Sequence, residues 1–141
     1  ESIIASNMYE KDVAQLLHWR ESNVCSDGAS HSMHPRGFGA FPKFFYKYVN
    51  QDRTMTIEDA IHKMTGMSAR HMGFEGRGLI KPGYHADLIL LDPLQFMDQA
   101  TIEQPRLQAT GLSKVWVNGT LVYENGEPAH VYSGRVIRRK N

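Results

Sequence analysis

The chain has 141 residues, 41% hydrophobic and 22% charged, with a formal net charge of +1; this excludes a disordered chain and a polybasic nucleic-acid-binding surface. Its one cysteine, Cys25, excludes an internal disulfide framework and favours a reducing, cytoplasmic setting. No apolar run approaches the roughly 20 residues that span a bilayer, and a signal peptide is not evident, although a chain that opens at Glu1 rather than Met leaves that point without weight.

The first predicted element is a helix. Asn7 is its expected cap, with Glu10 three residues on, and Tyr9, Val13, Leu16 and Leu17 form one apolar stripe at helical spacing. Val24 and Cys25 read as a very short buried strand, and Ser26 to Gly39 as a loop rich in Gly, Ser, His and Pro. A second helix starts near Pro42, whose missing N–H needs no partner in a first turn. Its face of Phe41, Phe44, Phe45, Tyr48 and Val49 reads as packed core rather than a ligand box. Thr56 caps a third helix with Asp59 at the reciprocal position and Ile57, Ala60, Ile61 and Met64 on its buried side. A short fourth helix near Ser68 to Met72 ends at Gly73, a residue suited to the left-handed conformation.

After Gly76 the pattern becomes strand-like. Leu79–Ile80, Asp87 to Leu91, Val115 to Val117 and Thr120 to Tyr123 are the predicted strands, with Val136–Ile137 as a final edge. Asn118-Gly119 favours the positive backbone angles of a tight hairpin, and Asn125-Gly126 marks a second turn. Residues 93–112 are polar with two prolines and read as a surface excursion. The basic residues Arg135, Arg138, Arg139 and Lys140 read as a solvated tail. Composition thus divides the chain into helical residues 1–75 and β-rich residues 76–141. A lone strand in the first half lacks the neighbours a buried parallel strand needs, and a small sheet needs a cover for its apolar face.

Chemistry concentrates between the first two helices. Asp27 before Gly28 has the pattern of a turn residue. It also stands at the C-terminal end of a short apolar segment preceded by an amphipathic helix, which is where a barrel of alternating helices and strands carries its active face. A carboxylate there can take a proton from an attacking water. Arg36 is either a surface arginine or a clamp, since its planar fork of donors matches a carboxylate. His31 and His34 share this loop, but their spacing has no helical meaning and metal ligation needs three or four convergent groups. Cys25 lies two residues before Asp27 and reads as a small buried residue rather than a thiolate ligand. His18, His62, His71, His85 and His130 show no ligand spacing. No His-x-His pair, dinucleotide-binding glycine motif, P-loop, nucleophile elbow or Cys-x-x-Cys occurs.

The runs Cys25-Ser26-Asp27-Gly28 and His34-Pro35-Arg36-Gly37-Phe38-Gly39-Ala40-Phe41 resemble the last barrel strand and adjoining loop of N-acyl-D-amino-acid deacylases in the amidohydrolase superfamily. Lys63-Met64-Thr65, Ala69-Arg70, the run from Gly78 to Leu88 and Val115-Trp116-Val117-Asn118-Gly119 resemble the succeeding stretch and closing hairpin of the same enzymes. The resemblance covers about residue 7 to residue 126, and only the C-terminal third or so of a family member. It implies an α/β parent: a metal-dependent-hydrolase (β/α) barrel with a small β-sandwich. Residues 1–75 would hold the last barrel helix and strand with the helices after them. Residues 76–141 would hold the C-terminal share of the sandwich, and the isolated piece is expected to be α+β.

On this resemblance Asp27 corresponds to the general acid/base and Arg36 to the residue that holds the substrate carboxylate. Zinc belongs to the complete enzyme. No metal ligand is expected in this chain, apart from a possible contribution of Asp27 in the parent, and Cys25 does not match the family's cysteine ligand. The implied function is release of the acyl group from N-acyl-D-amino acids, a small-molecule reaction with no nucleic-acid or membrane partner, and the isolated chain is expected to be inactive. Tyr9, Leu16, Leu17, Phe44, Phe45 and Tyr48 are expected to be left uncovered, so that the chain self-associates or docks to the missing barrel. The alternatives are a dihydroorotase- or hydantoinase-like cyclic amidase, and a non-catalytic assembly or binding module.

Overall fold

The computed structural model describes residues 8–28 and 33–138, so Asn7, His31, Arg139 and Lys140 lie outside the described residues. Helix α1 spans Glu10–His18, with Tyr9 at its N-cap position and no side-chain cap. A single 3-10 turn covers Pro35–Gly37. Helix α2, Ala40–Phe45, runs directly into a wider π-helical stretch, Tyr46–Gln51. Helix α3 is Ile57–Met64, and its N-cap Thr56 accepts from the Asp59 amide at 3.1 Å as the sequence predicts. Helix α4 is Gly66–Met72, two residues longer at its start than expected, and it ends on Gly73 at φ 69°.

The β half is an antiparallel meander in the order β1-β2-β3-β4, formed by Leu88–Leu91, Leu112–Val117, Thr120–Glu124 and Glu127–Pro128. Asn118 and Gly119 both take positive φ, 50° and 80°, and set the β2–β3 hairpin; Asn125 and Gly126 do the same between β3 and β4. Lys114 faces Glu124 across the hairpin and pairs with it at 2.7 Å. The architecture is therefore α+β, and among the described residues every strand pairing is antiparallel.

The core sits under α2. Phe45 is wholly buried, and Val24, Phe44, Tyr48, Ala60 and Phe96 join it, with Leu17, Met64 and Leu91 packed around them. Phe45 meets Phe96 edge-on at 5.6 Å between centroids, a geometry that adds about 1 kcal/mol beyond area burial. Burial pushes the Tyr48 phenol above its ordinary range.

Several expectations fail for physical reasons. Val24 is buried, and its amide donates to the Lys63 carbonyl at 3.4 Å, but among the described residues no ladder partner lies beside it; Val24–Cys25 is extended chain, not a strand, and Cys25 is exposed. Leu79–Ile80 is not a strand either. Gly78 turns the chain at φ 80°, its backbone lies against α4, and Ile80 is left 92% exposed. Val136–Ile137 forms no strand. Ile57 faces solvent, and its place on the buried side of α3 is taken by Lys63. Phe44, Phe45 and Tyr48 are covered within this chain, unlike Tyr9 and Leu16, which are exposed. Residues 93–112 are not merely a surface excursion, because Phe96 plugs the core and Met97 bridges Thr110. Among the described residues no helix is long and apolar enough to cross a membrane.

Candidate functional site

The Asp27 segment is positioned from behind by a buried lysine. Lys63 lies on the inner face of α3 and donates from Nζ to the Trp19 carbonyl (2.7 Å), the Ser22 carbonyl (2.9 Å) and Ser22 Oγ (3.1 Å). Burial holds its ammonium below the ordinary lysine range. These bonds fasten the turn after α1, and the Asn23 side chain adds a bond to Ser68 Oγ at 3.3 Å. The chain then leaves the helices in an extended form through Val24 to Gly28.

Beyond this anchor the segment runs beside the Pro35–Gly37 turn. The Asp27 amide donates to the Arg36 carbonyl at 3.3 Å. A Cβ on Gly28 would approach the Gly37 carbonyl oxygen to 3.1 Å, so the two backbones lie close together. The turn is capped from within: His34 Nδ1 accepts from the Arg36 amide at 3.1 Å, and the Phe38 and Gly39 amides donate to the Pro35 carbonyl. The cap gives a neutral His34 its proton at Nε2.

This arrangement brings Asp27 and Arg36 together. Arg36 Nε lies 2.8 Å from Asp27 Oδ2, with the two side chains 61% and 71% exposed. A pair so open to water contributes at most about 1 kcal/mol. No other described residue forms an ion pair with either side chain. The structure does not bring Cys25 into a cluster, and among the described residues no three His, Cys, Asp or Glu side chains converge as a metal site. His34 has its Nδ1 engaged by the Arg36 amide.

A second polar network joins two runs that the family resemblance singled out, although nothing in the sequence pairs Arg77 and Asp87 with Asn118. Asp87 pairs with Arg77 Nη1, and its Oδ1 accepts from the Asn118 amide at 2.8 Å. Arg77 Nη2 also donates to Asn118 Oδ1 at 2.8 Å, and Asn118 Nδ2 reaches the Ser133 carbonyl at 2.7 Å. Burial raises the Asp87 pKa, but the Asn118 amide and the Arg77 guanidinium outweigh it and hold the carboxyl below its ordinary range. Asp87 thus ties the start of β1 to the β2–β3 turn; its role is structural. Lys63 does carry a signal: Ala60, Lys63, Met64 and Met67 follow helical i, i+3, i+4, i+7 spacing and place the lysine on the inner face.

Known proteins are similar to this chain over most of its length. Residues 26–123 match the family model for the amidohydrolase family. A D-aminoacylase from Alcaligenes xylosoxydans xylosoxydans is 37% identical over 134 residues, covering 94% of this chain and 28% of that relative. A solved D-aminoacylase structure described as having a binuclear metal centre superposes with a TM-score of 0.89 at 38% identity, over 94% of this chain and 28% of its own. The N-acyl-D-glutamate deacylase of Bordetella bronchiseptica, solved with zinc and a phosphonate inhibitor that mimics the tetrahedral intermediate, matches with a TM-score of 0.63 at 41% identity, over 68% of this chain and 20% of its own. The chain therefore spans little more than a quarter of the D-aminoacylase it matches.

Proposed function

This chain belongs to the amidohydrolase family, and on that footing we propose that it is the C-terminal part of a zinc-dependent hydrolase that releases the acyl group from N-acyl-D-amino acids, with Asp27 as general acid/base and Arg36 as the clamp for the substrate carboxylate. Residues 1–75 supply the closing helix of a (β/α) barrel and, in the extended segment Val24–Gly28, the stretch that becomes its last strand once the neighbouring strands of the complete protein lie beside it; residues 76–141 supply a share of a small sandwich. The observation that carries the reading is the 2.8 Å contact between Asp27 and Arg36, held by a capped turn within a run similar to D-aminoacylase along 94% of the chain.

The described residues do not fit a zinc ion by themselves. The metal belongs to residues elsewhere in the complete protein, and this chain contributes a proton carrier and an anion clamp. Arg36 meets Asp27 through Nε, which leaves its Nη edge to donate to both oxygens of a carboxylate in bidentate fashion. A substrate carboxylate on that edge shares the guanidinium charge with Asp27 and so loosens the hold of Arg36 on it. The carboxylate of Asp27 then takes a proton from the attacking water and delivers it to the departing amine. The exposed Tyr9, Leu16 and Trp19, together with Ile89 and Leu90 of β1, are the surfaces that the rest of the protein covers; a cytoplasmic setting fits the exposed lone thiol of Cys25.

Three measurements test this. An upstream in-frame coding segment is expected to carry a His-x-His pair, and its absence would overturn the reading. The chain alone, with N-acetyl-D-amino acids and added zinc, is expected to show no turnover. In the complete protein, Arg36→Gln is expected to raise KM by about 10²-fold with little change in kcat, because the clamp binds substrate and transition state alike.

A further inference from the structure

A cleft opens between Phe38 and Pro42 on one side and residues 106–112 with Tyr123 on the other, and neither Asp27 nor Arg36 lines it. It has a volume of about 320 Å³, within the range of small-molecule sites. Phe38, Phe96, Leu107, Leu112 and Tyr123 form its apolar walls, and Arg106 stands at its rim. No acidic residue lines it. The Tyr123 hydroxyl is already satisfied by Gln108 Oε1 at 3.1 Å, so it asks for no polar partner from an occupant. Arg106 is held with its guanidinium 5.8 Å from the centre of the Phe38 ring, and it forms no ion pair among the described residues. At that distance the aromatic ring uses none of the guanidinium's N–H donors, which stay free to match a carboxylate.

We propose that this cleft binds a small organic monocarboxylate with an apolar body, the carboxylate on Arg106 and the body against Phe38, Leu107, Leu112 and Tyr123. The charge selects the ligand, because the walls alone would accept any apolar group. The site is distinct from the Asp27–Arg36 pair and does not depend on the function assigned to that pair. Phe38 nevertheless closes the same turn that carries Arg36, through the hydrogen bond its amide N–H donates to the Pro35 carbonyl at 3.0 Å.

The test is a nuclear magnetic resonance titration of the chain with 3-phenylpropionate and, separately, with the neutral 3-phenylpropanol. Saturable shifts at Phe38, Leu107, Leu112 and Tyr123 are expected. The acid should bind about tenfold more tightly than the alcohol, the increment of one charge-assisted contact. Arg106→Gln should abolish that difference, and Arg106→Lys should keep part of it; both stand on an exposed loop, and an unchanged amide spectrum elsewhere confirms that they fold. Arg36→Gln should leave the binding untouched. Equal affinity for acid and alcohol, wild-type discrimination in Arg106→Gln, or loss of binding in Arg36→Gln would each overturn the proposal. So would the same shifts on raising protein concentration without probe, which would assign the cleft to a second copy of the chain.

Discussion

Replacing Lys63 by Met tests how the Asp27 segment is held. The methionine keeps the length of the lysine stem and removes the ammonium. Three bonds are lost, to the Trp19 carbonyl, the Ser22 carbonyl and Ser22 Oγ. They are not equivalent. The Trp19 carbonyl keeps the Ser22 hydroxyl as a donor at 2.9 Å, so the uncompensated loss falls mainly on the Ser22 carbonyl. A bond from a charged donor contributes about 1.5–3 kcal/mol, and an orphaned buried acceptor costs about 1–3 kcal/mol. Against this stands the desolvation that lowers the Lys63 pKa, which methionine does not incur. The net expectation is a loss of about 2–3 kcal/mol, or about 5–10 °C in Tm for a chain of this size. Urea denaturation monitored by circular dichroism measures it, and hydrogen exchange at Val24, whose amide bonds to the Lys63 carbonyl, should quicken as the segment loosens. A Lys63→Met chain within about 0.5 kcal/mol of wild type with unchanged Val24 exchange would refute the argument.

The Asp87 network predicts a pH dependence. Because the folded carboxyl titrates below its ordinary value, its contribution is complete above about pH 4 and is lost as pH falls through the lower folded value. Asp87→Asn should therefore cost about 1 kcal/mol at pH 7 and flatten the stability profile below about pH 4, as thermal melts across the acid range would show. Gly39→Ala should cost no more than about 1 kcal/mol, since the new Cβ would fall 2.0 Å from Asp98 Oδ1, the end of a side chain that can swing aside at the expense of its bond from the Ala100 amide; a loss above about 2 kcal/mol in denaturant unfolding would refute this. Phe45→Ala should cost about 3–5 kcal/mol because the ring is completely buried, and denaturant unfolding would reveal a smaller loss if the site collapsed. The exposed Tyr9, Leu16 and Trp19 predict self-association of the chain alone, against which a monomer by light scattering at micromolar concentration would count.

Local rules make much of the fold legible. The aromatic spacing of Phe41 to Val49 announces the core helix, Thr56 its successor's cap, and Asn118-Gly119 the hairpin, because each is decided by residues a few positions apart. The failures share one feature: they depend on what lies across space. Val24–Cys25 has strand composition but no ladder partner, so it stays extended and leaves Cys25 in water. Phe96 sits in a polar stretch, and nothing near it in sequence shows that it meets Phe45. The adjacency of Asp27 and Arg36 depends on the His34 cap and the Gly28–Gly37 approach, which no periodicity encodes; it is legible only through the family resemblance. Lys63 has the helical spacing of a buried residue, but lysine is normally found at the surface, and residue type masks the position.

Turnover of an N-acetyl-D-amino acid by the complete, zinc-loaded protein carrying Asp27→Asn probes the acid/base assignment without disturbing the side chain's size. The account predicts a fall in kcat of about 10²–10⁴-fold with substrate binding retained, since Asn can still accept from Arg36 but cannot carry the proton. Wild-type kcat in that variant would contradict it.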